Sequence, residues 1–283
     1  MGFFEMYILP VLIFAAVGGA AGVLLTVGSK LFFVKTDETV AKIVEALPNA
    51  NCGACGYSGC EGYANAVAKG EAPTNRCKPG GAVSAEKIAG IMGTEVLASV
   101  KEAAYVRCNG CEGAVEDRFE FDGTPSCAAV ERFYNGKKMC RTGCDGYGDC
   151  AAVCDNDAIS IVNGIAVVDQ SKCGACGKCV AVCPNHLIEI RPAEAPYAVR
   201  CSSKDSIKVT KTICKNGCLG CRLCEKKCPA GAITVKDNHA SIDYEKCTGC
   251  GICAQSCPVK CIQQMTKDNV QMTMDKGQCS NDN

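Results

Sequence analysis

The sequence predicts an α+β chain in which one N-terminal transmembrane helix leads into a small helical domain and then into two tandem modules of short helices and hairpins. Three observations carry that prediction. Met6 to Ser29 is a run of 24 residues without a charge, long enough at about 1.5 Å per residue to cross a hydrocarbon core of about 30 Å. Four cysteines then crowd a glycine-rich loop with the spacing C-x2-C-x4-C-x16-C. Beyond them, Cys127, Cys140, Cys144, Cys150, Cys154, Cys173, Cys176, Cys179 and Cys183 recur 74 residues later as Cys201, Cys214, Cys218, Cys224, Cys228, Cys247, Cys250, Cys253 and Cys257. Nine coincidences at one offset mark a duplicated unit.

With 27 cysteines in 283 residues and no Trp, cysteine chemistry rather than an apolar core alone is expected to hold the fold. Thirty basic residues balance thirty acidic ones, so no global charge points to nucleic acid. Glu5 precedes the apolar run, and Lys30 and Lys35 follow it. That bias predicts a single pass through the lipid of the cell membrane, with the large C-terminal part in the cytoplasm. Thiols there meet reducing surroundings, which favours metal ligation over disulfides. Gly18, Gly19, Ala20, Ala21 and Gly22 form a small-residue patch open to close approach by another helix.

Taken in order, Val40, Ile43, Val44 and Leu47 are spaced as one helix face, capped by Asp37 or Thr39 and stopped by Pro48. Cys52, Cys55, Cys60 and Cys77 follow, with Gly53, Gly56 and Gly59 letting the backbone turn around a bulky inorganic core. Four thiolates so placed suit one 4Fe-4S cluster, with tetrahedral zinc as the alternative. The string from Leu47 through the KPGG after Cys77 resembles the small iron-sulfur domain found in the B component of Rnf complexes and in some corrinoid and reductase proteins. Residues 82 to 106 read as helical, with Ser84 as cap and Ile88, Ile91, Met92 and Val96 on one face. The piece that follows, with Cys108, Cys111 and Cys127, gives little secondary-structure signal.

The run C-x2-C-x2-C-x3-C-P occurs at Cys173 to Pro184, Cys218 to Pro229 and Cys247 to Pro258. It resembles the bacterial ferredoxin motif, in which three cysteines hold one cluster and the fourth reaches across to the other. In AISIVNGIAVVD and AITVKDNHASID, alternating residues flank bends at Asn163-Gly164 and Asp237-Asn238, the pattern of hairpins. The crossing rule assigns Cys218, Cys221, Cys224 and Cys257 to one cluster, and Cys247, Cys250, Cys253 and Cys228 to its neighbour. In the first copy it assigns Cys173, Cys176, Cys179 and Cys154. The other first-copy site departs from the motif, because Tyr147 stands where the second copy has Cys221. Cys140 is the nearest replacement and is expected to join Cys144, Cys150 and Cys183. These make five clusters. A sixth is expected from Cys108, Cys111 and Cys127 with Cys201 or Cys214, with free buried thiols as the alternative. Cys261, where the first copy has Leu187, reads as packing, Cys279 lies in a polar tail, and His186 and His239 read as solvated rather than ligating.

The whole order resembles the B component of Rnf-type ion-translocating ferredoxin:NAD oxidoreductases over essentially the full length. The resulting fold class is α+β: a single N-terminal transmembrane helix, a small helical 4Fe-4S domain and two tandem bacterial-ferredoxin-like modules. The boundaries are 1–35 for the anchor, 36–106 for the 4Fe-4S domain, 107–199 for the first module with its cysteine-rich lead-in, 200–270 for the second module and 271–283 for the tail. The resemblance implies an electron-transfer subunit that accepts electrons from reduced ferredoxin and passes them to membrane and peripheral subunits, while the complex reduces NAD and moves Na⁺ or H⁺. The sequence has no acid-base pair, Walker loop or dinucleotide fingerprint, so no substrate-transforming site of its own is expected. A subunit of another membrane complex such as a hydrogenase, or a zinc-binding redox sensor, are the competing readings. From Arg200 to Lys236, nine basic residues stand against Asp205 and Glu225, a stretch of +7. Such charge around a cluster steers an acidic redox partner.

Overall fold

The computed structural model describes residues 9–31, 38–98 and 100–265, in two units, Met1–Ala41 and Lys42–Asn283. The first unit holds α1 (Leu9–Leu31), whose side chains are described over 15–27. Val17, Val23, Leu24, Leu25 and Val27 are exposed there. Among the described residues no helix is long and apolar enough to cross a membrane. Glu5, the first residues of the uncharged run, Lys35, Asp37 and the tail with Cys279 lie outside the described residues.

In α2 (Glu38–Ala46) the helix ends just before Pro48, and Ile43 and Leu47 are buried as their spacing predicts. α3 (Cys60–Ala68) and α4 (Gly81–Met92) follow. The helix expected over 82–106 is shorter than its pattern, because Gly93 takes φ 65° as a left-handed cap, a conformation glycine adopts without a Cβ penalty. Ser84 lies inside α4 rather than capping it, and its Oγ donates to Ala46 O at 2.8 Å. Ser84, Ala85, Ile88 and Ala89 form the buried face, while Val96 is exposed.

Residues Glu102–Val106 are not helical but strand β1, antiparallel to β4 (Ile188–Pro192). A partner far along the chain overrides the local period here. The first module continues through α5 (Cys127–Tyr134), α6 (Asp149–Ala152), β2 (Ile159–Val162), β3 (Ile165–Val168) and α7 (Lys178–Val182) to β4. The second runs through β5 (Tyr197–Val199), α8 (Ile207–Ile213), α9 (Leu223–Lys227), β6 (Ile233–Lys236), β7 (His239–Ile242), α10 (Ile252–Gln255) and β8 (Ile262–Gln264). The hairpins β2–β3 and β6–β7 form with the predicted bends. Asn163, Gly164, Asp237 and Asn238 all have positive φ, as a two-residue type I′ turn requires.

Each module closes with a second pair of strands, β1 with β4 and β5 with β8, which places Val106 opposite Ile188 and Val199 opposite Ile262. The two isoleucines are 74 residues apart, but the two valines are 93 apart, so the first module carries 19 extra residues (93 − 74) after this strand. Helix α5 lies in that insertion. The matching bonds Arg107 N to Leu187 O (2.8 Å) and Arg200 N to Cys261 O (2.9 Å) confirm the register. Val106-Arg107-Cys108 and Val199-Arg200-Cys201 are therefore counterparts, and the coincidence of Cys127 with Cys201 at the common offset is accidental.

A buried ammonium holds the loop after α5. Lys138, only 2% exposed, donates from Nζ to Gly110 O and Gly164 O at 2.7 Å each. Lys138→Met leaves both carbonyls without that donor and is expected to cost about 2–3 kcal/mol. A denaturant titration should show a lowered midpoint with unchanged slope.

Candidate iron-sulfur sites

Cys52, Cys55, Cys60 and Cys77 border one open cavity of about 310 Å³, with Pro48, Tyr63 and Pro79 around them. The loop closes because Asn51 Oδ1 accepts from Cys60 N at 2.9 Å, packed where a Cβ on Gly59 would stand. Tyr63 OH donates to Pro73 O at 2.7 Å and accepts from Arg76 N at 3.1 Å, which brings the returning segment with Cys77 against α3. Burial raises the Cys77 thiol, with the neighbouring Cys60, Cys55 and Cys52 adding to the rise.

Thiol electrostatics locate the next groups. Burial first, and then the adjacent Cys173, Cys176 and Cys154, push Cys179 up to about 11. Cys154 thus reaches across to the Cys173 loop. The Ala104 and Ala175 N–H groups donate to Cys173 Sγ at 3.3 and 3.4 Å, and Ala158 N–H donates to Cys154 Sγ at 3.4 Å. In the second module burial and then Cys218 raise Cys224 to about 12, with Cys257 and Cys221 further contributors. Burial raises Cys253, which has Cys247 and Cys250 beside it.

At the first-module loop that lacks the usual third cysteine, the structure gathers other thiols than the spacing's expectation. A cavity of about 360 Å³ is bordered by Cys144, Cys150, Cys183 and Cys127, with Asp145 and Asp149 in its wall; Cys140 is not in it. Burial and then Cys127 and Cys183 raise Cys150 to about 12. Cys127 opens α5, and Asp149 fixes that helix start: its carboxylate accepts from Cys127 N (2.9 Å), Ala128 N (3.0 Å) and Ser126 Oγ (3.0 Å). Burial works to raise Asp149, but these bonds outweigh it and hold the carboxyl below its ordinary value. Asp149→Ala is therefore expected to free Cys127 and lower the iron bound at this site. Metal analysis at equal protein concentration reads the loss.

Cys140 lies instead with Cys108, Cys201 and Cys214, bordering a cavity of about 410 Å³. Burial raises Cys140 to about 12, and Cys108, Cys201 and Cys214 all add to the rise. Of the thiols expected in the sixth group, Cys108 and both Cys201 and Cys214 line this cavity, and Cys127 does not. Cys111, 1% exposed in the core, lines neither of these two cavities, and its Sγ lies 3.9 Å from Asn216 Nδ2. The site joins the modules, because Cys108 and Cys201 follow the counterpart strands β1 and β5, while Cys140 and Cys214 open matching C-x2-G-C loops. The signal that would have found it is the repeated Val-Arg-Cys.

Cys261 packs in the core, as its place in the repeat reads, and His239 makes one specific contact. Cys261 is buried and stands between Cys201 and Cys218. Hydrogen bonding with it is the first cause that lowers Cys201 to about 7 and Cys218 to about 5. His239 is placed by its ring nitrogen Nε2, 2.7 Å from Cys201 O.

The donor sets test what these places hold. Among the described residues no group of three or more His, Cys, Asp or Glu side chains is gathered for one metal ion; the thiols border cavities. Backbone N–H groups point at their sulfurs, with Gly110 and Cys144 on Cys108 (3.3 and 3.4 Å), Leu187 on Cys183 (3.4 Å) and Cys261 on Cys257 (3.2 Å). All-cysteine sets with hydrogen-bonded sulfurs fit iron-sulfur clusters. Fold and donor sets together define a multicluster iron-sulfur electron-transfer protein. An Fe-S cluster family model matches residues 47–79, and a 4Fe-4S dicluster domain model matches residues 172–232 and 217–261.

Relatives sharpen the class. The chain is 39% identical to the B component of the ion-translocating oxidoreductase complex of Methanosarcina acetivorans, over 83% of this chain and 89% of the relative. It is 40% identical to the B component of the Na(+)-translocating ferredoxin:NAD(+) oxidoreductase complex of Acetobacterium woodii (90% and 77%). It is 34% identical to the proton-translocating counterpart of Clostridium ljungdahlii (83% and 84%). The chain belongs to the family of B components of Rnf-type ion-translocating ferredoxin:NAD oxidoreductase complexes. The relatives' names give sodium as the coupling ion for one and protons for another.

Proposed function

We propose that this chain is the membrane-anchored electron relay of such a complex, taking electrons from reduced ferredoxin through six sites toward its membrane subunits. The observation that carries the reading is the cavity lined by Cys108 and Cys140 from the first module and Cys201 and Cys214 from the second, where a cluster would join the two modules into one series. When bound, each cluster supplies one-electron reduction and reoxidation at a potential set by charge, hydrogen bonding and exposure.

Neighbour relations support an order. Cys221 and Cys250 are exposed, and so are eight of the nine basic residues from 200 to 236, a charge suited to an acidic donor. Cys261 lies against Cys218 on one side and Cys201 on the other, joining the second module to the linking site. From there, the Cys144 N–H donates to Cys108 Sγ, and Cys179 lies beside Cys150. Lys178, paired with Asp155 at 2.6 Å, stands within the influence of both Cys176 and Cys52. The group at Cys52 to Cys77 ends the series. The 24 uncharged residues ahead of it read as the span that anchors it in lipid, with the other subunits of the complex carrying ion transport and NAD reduction.

Anaerobic purification with iron, sulfide and zinc analysis tests this reading. Six four-iron clusters give about 24 irons per chain. Stoichiometric zinc with little iron would sink the relay and favour a zinc-binding protein.

A further inference from the structure

The lining of the linking site includes arginine side chains, and the lining of its neighbour includes no basic side chain. Arg107 and Arg200, counterparts just after β1 and β5, both line the cavity bordered by Cys108, Cys140, Cys201 and Cys214. Their surroundings differ. Arg107 is partly exposed and pairs with Glu189 at 3.5 Å. Arg200 is 7% exposed. It donates from Nη2 to Cys108 O at 3.1 Å and from Nη1 to Gln263 Oε1 at 3.4 Å, and its Nε has no hydrogen-bond partner among the described residues. Glu189 lies opposite Tyr105 and Gln263 opposite Ala198, so Gln263 is the counterpart of Glu189. The second module has an amide where the first has a carboxylate, and among the described residues no carboxylate lies within 4.0 Å of the Arg200 guanidinium.

A guanidinium has no accessible neutral form, and burying its charge without an opposite one costs several kcal/mol. Cys108, Cys140, Cys201 and Cys214 line the same cavity, and as thiolates holding a cluster they would supply the compensating negative charge. Building on the six-site reading, we propose that Arg200 sets the potential at the linking site, holding it above that of the neighbouring Cys127, Cys144, Cys150 and Cys183 site, whose wall carries Asp145 and Asp149. Reduction at the linking site adds one electron, delivered from the second module. A fixed positive charge stabilises that added negative charge, and a carboxylate opposes it. The linking site is thus the electron-holding station between the two modules, and Gln263 keeps the charge that makes it so from being neutralised.

Redox titration of the full chain, purified anaerobically and followed by electron paramagnetic resonance, tests this. The linking-site signal is the one that Cys140→Ser removes. In Arg200→Gln and in Gln263→Glu its midpoint is expected to fall by at least the equivalent of a tenfold change in the reduced-to-oxidised ratio, about 59 mV for one electron. Arg200→Lys should restore most of the shift. Should Arg200→Gln lose iron, Gln263→Glu decides alone, because it only introduces the carboxylate the first module already carries. An unchanged midpoint in Gln263→Glu with full iron overturns the role of Arg200. If Cys140→Ser removes neither signal nor iron, it is instead the six-site reading that fails.

Discussion

Replacing Cys127 with Ser is expected to remove one whole cluster, about four irons per chain, and adding Tyr147→Cys to the same chain is expected to restore it. The first module lacks the cysteine that the second has at Cys221, and Tyr147 stands in its place. Cys127 lines the same cavity as Cys144, Cys150 and Cys183 from outside the motif. Its thiol is raised by burial, but the backbone N–H groups of Asp149, Tyr147 and Gly148 turn toward it and work the other way. The sulfur therefore sits against the loop from which the ordinary ligand would project. A cysteine at 147 starts from that same loop, so the two positions should be interchangeable as donors. The Tyr147 ring packs against Phe121 at 5.8 Å and beneath Lys137, and its loss costs some local packing that the restored cluster should outweigh. Iron analysis with the resonance spectrum reads the outcome. If Cys127→Ser keeps its full iron content, or if Cys140→Ser abolishes the same signal, the assignment of Cys127 is wrong.

The parts of this fold legible in the sequence are those encoded within a few residues. The hairpins β2–β3 and β6–β7 follow from alternation around two-residue bends, and the reach of Cys154 to the Cys173 loop follows from the repeated motif. What stayed hidden depends on strands that meet across the chain. β1 looked like the end of a helix because its partner β4 lies more than 80 residues away, and local period carries no trace of that pairing. The exchange of Cys127 and Cys140 has the same origin. The 19-residue insertion, read from offsets of 93 and 74, happens to place a cysteine at the common offset from Cys201. Counting coincidences cannot distinguish that accident from descent. Strand register does, because Val106 and Val199 occupy one position against Ile188 and Ile262, and the Val-Arg-Cys that each of them begins is the true repeat.

Cys140→Ser and Cys214→Ser should each remove the same cluster, so the double variant should lose no more iron than either single one. Residues that act as one unit are non-additive in this way, whereas ligands of two separate clusters would lose about eight irons together. The functional effect should be larger than the iron count suggests. Cys140 and Cys214 open the two matching loops, one from each module, so a cluster held by both would be the connection between modules. Without it, reduced ferredoxin should still reduce the sites of the second module, where Cys221 and Cys250 are exposed. The first module and the Cys52 to Cys77 site should stay oxidised on the same timescale, and NAD reduction by the intact complex should collapse. Rapid-freeze resonance spectroscopy separates the two halves of the series by their signals. Unimpaired reduction of the Cys52 to Cys77 site in the double variant would mean that electrons reach it by a route that bypasses the linking site. The six sites would then form a branched network, and the charge at Arg200 would govern a side branch.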